Sequence, residues 1–203
     1  MFKIEKDNFI SVKYNEVKDK TKLEEFSFEN EKIKLDSIDI KNCKFDGIVF
    51  DKVDIKFCNI EDTTFINCDL SNLSFLDTAM YRVNFINCKL VGTNIIDCDL
   101  NNIIISDCMC NLINIAGSKL KNIELINSNF KESTLMSCNI KNILIDNINF
   151  SYSEITNTPL KDIDFSSSNI EGISTDLTSI KGMVIDLHQS MDLIGLLGVK
   201  IKE

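Results

Sequence analysis

The chain has 203 residues, 44% apolar and 26% charged, with a formal net charge of −9, one Pro and no Trp. It is long enough to bury one continuous core, and no run approaches the eighteen or so apolar residues that crossing a bilayer requires. The negative balance argues against ordinary nucleic-acid binding, where basic patches supply the affinity, and leaves a basic or membrane-surface partner.

Taken in chain order, the amino terminus carries acids and lacks an apolar core of signal-peptide length, so a soluble, cytoplasmic protein is expected. Residues 1–27 alternate charge with Phe9, Ile10, Val12 and Tyr14 in no fixed period. They are expected to form an N-terminal cap or arm.

A strict period of five then sets in, and a repeat unit is expected over residues 28–185. With the central residue i placed at every multiple of five from 35 to 170, the column holds Ile, Leu and Phe throughout, except for Met80 and Cys110. The column two residues earlier, from 33 to 168, mixes Ile, Val and Leu with Cys, Thr and Ser, and it contains no charge. A helix returns its apolar face every 3.6 residues and a strand every 2, so neither persists at this period. A short extended step followed by a corner does. Residues i and i−2 then share one inward face, and four corners close a coil of about twenty residues.

The corner requires a residue that tolerates positive φ. The i+2 column supplies it, being rich in Asn and Asp and holding Gly47, Gly92, Gly117 and Gly172, the types that reach left-handed conformations at least cost. Coils stacked at about 4.8 Å place Phe45, Phe65 and Phe85 in one interior file and Phe130 with Phe150 in another. Seven coils make a rod about 34 Å long.

All eight cysteines fall in the two inward columns: Cys110 at i, and the others, including the file Cys68, Cys88 and Cys108, at i−2. They are expected to be reduced, buried small hydrophobes. A metal pair at Cys108 and Cys110 is the weaker reading, because zinc needs four convergent ligands; no metal or cofactor is expected.

The register fades after Ile173, with Thr175 at a central position. Residues 182–185 give a last strand, and residues 186–203 a C-terminal helix and strand. Asp186 with Gln189 fits a helix N-cap and its capping-box partner, Gly198 fits a C-terminal stop, and the helix is placed at residues 187–197. Leu187, Met191 and Ile194 form one apolar stripe, and Leu193, Leu196 and Leu197 a second. One stripe can seal the last coil, while the other invites pairing with a second copy across a two-fold axis.

Units such as Cys68-Asp69-Leu70-Ser71-Asn72 and Cys98-Asp99-Leu100-Asn101-Asn102 resemble the Ala-(Asp/Asn)-Leu-x-x pattern of pentapeptide-repeat proteins. The resemblance implies an all-β fold, a right-handed quadrilateral parallel β-helix of about seven coils, with a C-terminal α-helix. Three tail segments (residues 160–166, 180–184 and 196–201) are similar to the carboxyl end of Qnr-type quinolone-resistance proteins, particularly the chromosomal versions of Gram-positive bacteria. That resemblance implies a DNA-mimicking partner of DNA gyrase and topoisomerase IV that modulates fluoroquinolone susceptibility. The helix stripes lead to the expectation of a homodimer through the C-terminal helix, and no direct contact to nucleic acid or membrane is expected. The chain departs from the plasmid-borne members by keeping frame with no loop insertion, and in this it more nearly resembles the mycobacterial relative that inhibits gyrase.

Between residues 33 and 172 there are 19 acids and 12 bases, far short of the roughly 20 phosphate charges on a duplex of the same length. The acids gather between residues 57 and 118, as Glu61, Asp62, Asp69, Asp77, Asp97, Asp99 and Asp107, against only Arg82 and Lys89. These seven are the candidate topoisomerase-facing edge, with Asp77, Asp97 and Asp99 as its compact part. An outward apolar column, Leu76, Ile96, Ala116 and Met136, serves a partner or a lateral contact. Catalysis is not expected: the only histidine, His188, sits on the terminal helix, and no phosphate-cradling Gly loop occurs. The competing reading is a cytoplasmic interaction scaffold without a topoisomerase role.

Overall fold

Inward residues two apart, followed by a corner every fifth residue, dictate how the chain winds in the computed structural model, which describes residues 9–13, 16, 22–29, 31–33, 38–50 and 54–197. The coil has four sides. The first side points Cys58 and Ile60 inward, the second Thr63 and Phe65, the third Cys68 and Leu70, and the fourth Leu73 and Phe75. Each residue lies beside the one twenty further on, as in Phe65 beside Phe85 and Ser74 beside Asn94.

All strand pairing is parallel among the described residues. The first two sides share one bent sheet, built on strands Asn59–Ile66, Ala79–Ile86, Asp99–Ser106, Lys119–Ile126 and Asn139–Asp146. The fourth side is a second sheet that includes Ser74–Leu76, Asn94–Ile96, Asn114–Ala116, Thr134–Met136 and Glu154–Thr156. On the third side single bridges link successive coils, from Val49 with Asp69 to Asn149 with Asn169.

The corners follow from the i+2 column. From Asn42 to Gly172 every described member except Ser167 has φ between 47° and 65°. Asn, Asp and Gly reach that region readily, but Phe57, Leu112 and Glu132 hold it too, at about 1 to 2 kcal/mol each. At these positions the stacked neighbours, not local preference, set the backbone.

The interior is closed to charge: among the described residues every buried polar side chain is Ser, Thr, Asn or Gln. Phe28, Phe45, Phe65 and Phe85 stack at centroid spacings of 5.0, 5.0 and 5.1 Å and within 11° of parallel, whereas Phe130 and Phe150 are tilted by 42° at 5.5 Å.

Ser, Thr and Cys share the i−2 column because each bridges two coils. The Ser118 hydroxyl donates to the carbonyls of Ala116 and Ile95, at 3.0 and 3.2 Å, and accepts the Cys98 N–H at 3.0 Å. The Cys98 thiol likewise donates to the carbonyls of Ile96 and, a coil away, Phe75, at 3.3 and 3.4 Å. A buried polar atom with donor and acceptor both engaged escapes the desolvation penalty, and a charge there would not.

The coil is entered earlier than the five-residue frame indicates, and by a shorter turn. Lys22–Glu24 pairs with Asp39–Lys41, and Phe28 lies on Phe45, at an offset of 17 rather than 20. Leu23 and Phe28 are fully buried. Ile33 pairs with Phe50 of the i column, so the frame that assigned it to i−2 holds only from Ile38 onward; Leu35 lies outside the described residues.

At the other end the helix is Ser190–Ile194 followed by a 3-10 turn at Gly195–Leu197, shorter than the expected 187–197. The reciprocal pair is present: the Asp186 N–H donates to Gln189 Oε1 at 2.9 Å, and the Gln189 N–H to Asp186 Oδ1 at 2.8 Å. It closes a turn one step before the helix. Gln189 then does more, its buried amide donating to the carbonyls of Phe165 and Ser168 at 2.8 and 2.6 Å, which seals the open end of the last coil. Gly198 and the residues beyond it lie outside the described set.

Candidate functional site: an acidic corner and an apolar side

The winding sends the seven candidate acids in different directions, so they do not form one edge. A step of five residues turns the chain through one corner, and only residues twenty apart share a file. Glu61 and Asp62 lie at the end of the first side and are largely neutralised. Lys41 Nζ is 2.8 Å from Glu61, and the Arg82 guanidinium grips Asp62 through two nitrogens while lying over the Tyr81 ring at 3.9 Å. The neighbouring acids hold Arg82 above its ordinary pKa, Asp62 through its hydrogen bond first.

Asp69 belongs to the third side, where its carboxylate accepts the Ser71 N–H at 3.0 Å. Asp107 belongs to the corner between the second and third sides and accepts the Ser106 hydroxyl at 2.6 Å. Both point away from Asp77 and Asp97.

What remains is a compact group at the corner between the fourth and first sides. Asp77 and Asp97 are stacked corner residues with φ of 48° and 54°, and among the described residues neither makes an ion pair. Asp97 leans along the file over Gly117, where a Cβ would meet its Oδ1 at 2.2 Å; the glycine leaves that carboxylate its place. Asp99 stands just round the corner. Its contact with Lys119 is loose, 3.8 Å between side chains 58% and 73% exposed, and such pairs contribute little.

Two apolar features adjoin this corner. Phe57 occupies the same corner file, next to Asp77, and is 77% exposed at a φ of 55°. On the fourth side Leu76, Ile96, Ala116 and Met136 form one outward row in register, half-buried up to Met136, which is 42% exposed. The parallel outward row is a polar ladder in which the Asn94 amide donates to Ser74 and the Asn114 amide to Asn94. Sequence reading found the apolar row and the acids but missed Phe57; its signal was an aromatic residue in a column rich in Asn, Asp and Gly.

At the carboxyl end Leu187 and Met191 are 82% and 60% exposed, Leu193 packs on the core, and Ile194 and Leu196 are half-buried. The described residues do not include the Leu197 side chain. The two stripes therefore divide: Leu193 turns inward, while Leu187 and Met191 face out. His188 is exposed on the turn before the helix.

The thiols lie inside the coils, free of disulfides and buried. Burial pushes Cys43 and Cys98 up to about 11. Cys68 and Cys108 are raised first by the hydrogen bonds they share with Cys88 between them, and then by burial. Among the described residues no group of three or more His, Cys, Asp or Glu could hold a metal ion, and no helix is long and apolar enough to cross a membrane.

The family model for the pentapeptide repeat region matches residues 33–115 and 58–135. Among solved structures, a trypsin-treated form of QnrB1, a plasmid-mediated fluoroquinolone resistance protein, is 17% identical over 89% of this chain and 100% of that one, with a TM-score of 0.33. HetL, a pentapeptide-repeat protein involved in heterocyst differentiation regulation in the cyanobacterium Nostoc, is 11% identical over 82% of this chain and 86% of its own, with a TM-score of 0.27. Rfr23, from the cyanobacterium Cyanothece, is 13% identical over 85% and 96%, with a TM-score of 0.24. Sequence comparison with curated proteins finds no match. The repeat model spans more than half the chain, the five-residue frame and its left-handed corners account for the rest of the coil, and this protein belongs to the pentapeptide-repeat family.

Proposed function

We propose that the rod binds a type II topoisomerase, DNA gyrase or topoisomerase IV, presenting its acidic corner where the enzyme receives a DNA segment, and thereby modulates fluoroquinolone susceptibility. The observation that carries this reading is the pair Asp77 and Asp97, stacked in one corner file with no ion pair among the described residues and with Asp99 alongside. Like charges held one strand spacing apart repel, and a basic surface relieves that cost on contact. The Qnr-like tail segments point to the same class of partner.

Mimicry is confined in this proposal to a short stretch of one corner. Glu61 and Asp62 are satisfied within the rod and are assigned no part in it. Self-association belongs to the same proposal: Leu187 and Met191 face outward beyond the sealed end, and a second copy across a two-fold axis would cover them and double the rod.

The test is gyrase supercoiling, with and without a fluoroquinolone, together with direct binding of gyrase and topoisomerase IV. The wild type should alter supercoiling or drug inhibition, and the triple variant Asp77→Lys, Asp97→Lys, Asp99→Lys should lose the effect and the binding. Unchanged affinity in the variant removes the corner from the proposal. Failure of the wild type to bind either enzyme leaves an interaction scaffold with a different partner.

A further inference from the structure

We propose that the fourth side of the rod is a docking strip for a protein segment that sets a large apolar side chain beside an Arg or Lys. This rests on the acidic-corner reading and specifies the chemistry of the partner surface.

Two independent observations converge on one strip. The outward row Leu76, Ile96, Ala116, Met136 runs in register along four coils, and Ala116 makes it uneven. With only a methyl at that position and a glycine beside it at Gly117, the row is notched between Ile96 and Met136. The Asp97 carboxylate lies over Gly117 and fills the space above it, so the short Ala116 side chain has a charge directly beside it. Hot spots of protein interfaces take this form, an apolar anchor in a pocket with a charge alongside.

The second observation is Phe57, in the same corner file as Asp77 and Asp97. A Phe 77% exposed at a φ of 55° gains little burial and occupies a conformation that Asn or Gly would adopt more easily. So exposed a side chain adds little to the packing of the described part of the coil. A residue that costs stability and exposes an aromatic ring beside acids that make no ion pair among the described residues fits an anchor that is covered on binding.

Complementarity fixes the occupant. The acids Asp77 and Asp97 flank the apolar row, and the other wall is a polar ladder in which Asn114 donates to Asn94 and Asn94 to the Ser74 hydroxyl. A purely cationic partner would leave the row uncovered, and a purely apolar one would leave the acids unpaired. A segment carrying both satisfies both.

The test uses the full-length chain with DNA gyrase and topoisomerase IV as probes, measuring affinity at several salt concentrations alongside thermal unfolding. Phe57→Asn should raise the unfolding temperature yet weaken binding at least about tenfold. Ala116→Phe, which fills the notch on an outward position, should weaken binding comparably and leave the salt dependence of the residual binding unchanged. Met136→Ser, which removes one wall, provides a further variant should Ala116→Phe not fold. If these variants bind like wild type while the triple Lys variant at Asp77, Asp97 and Asp99 does not, the strip is overturned and the acidic corner stands. If the wild type binds neither enzyme, both readings fall. A drop in unfolding temperature for Phe57→Asn would overturn the assignment of Phe57 as a residue kept at the expense of stability.

Discussion

Replacing Phe65 by Ala tests how the rod is held together. The ring is fully buried, stacked on Phe45 at 5.0 Å and Phe85 at 5.1 Å, with Phe50 edge-on at 5.8 Å. Truncating a core Phe to Ala costs about 3 to 5 kcal/mol, and aromatic pairs contribute about 0.5 to 1.5 kcal/mol each beyond their area. The truncation breaks the ring ladder in its middle, and parallel strands on both sides hold the walls apart, so the cost should reach the upper end, about 5 kcal/mol. In a stacked array, stability is a sum of nearest-neighbour terms, so the loss should be local. Hydrogen exchange resolved by strand is the suitable assay. Amides of Lys44–Asp46, Asn59–Ile66 and Ala79–Ile86 should exchange more than about a thousandfold faster, while those of Asn139–Asp146 change little. A cost below about 2 kcal/mol, or an equal acceleration at both ends of the rod, would refute the reasoning.

Ser153→Ala should destabilise by about 1 to 3 kcal/mol, read as a lowered urea midpoint, because the buried hydroxyl donates to the Phe130 carbonyl at 2.8 Å and accepts the Ser133 N–H at 3.2 Å. Leu112→Asn should instead stabilise by about 1 kcal/mol, since Leu112 is 54% exposed with a φ of 59°. For Cys43 and Cys98, burial lifts the folded pKa from 9.0 to about 11; their contribution is complete below pH 9 and is lost as pH rises toward 11. Unfolding temperature should fall across that window, and a thiol-specific reagent at pH 8 should find them unreactive until denaturant is added. Asp176 is held down at about 2, first by the Ser179 hydroxyl and then by the N–H groups of Asn157, Ser179 and Thr178. Its contribution is present above the ordinary 3.8 and disappears as pH falls through about 2, so Asp176→Ala should fray the last coil at pH 7 and abolish that acid-dependent step in hydrogen exchange.

Much of the fold was legible because the repeat is governed by short-range sterics and burial. The inward columns are apolar or small, the corners favour Asn, Asp and Gly, and residues twenty apart share a file; hence the stack of Phe45, Phe65 and Phe85 can be read from the letters. The first coil was not legible. At 17 residues it pairs Phe28 with Phe45 outside the frame, and only the strands above it show which register the short turn adopts. Gln189 was readable as the partner of Asp186 but not as the group that caps the carbonyls of Phe165 and Ser168, because those lie a full coil away.

The winding is written in the letters: a five-residue alternation of burial and left-handed corners admits few other ways to close a core. The letters also determine which residues face outward. Which outward groups remain available depends on the folded rod, because ion pairing depends on rotamers and distances between coils. Glu61 and Asp62 are taken up by Lys41 and Arg82, whereas Asp97 is left leaning over a glycine twenty residues on. The periodicity sets a side chain's direction, and the neighbours across the coil spacing set whether its charge is spent inside the rod or offered to a partner.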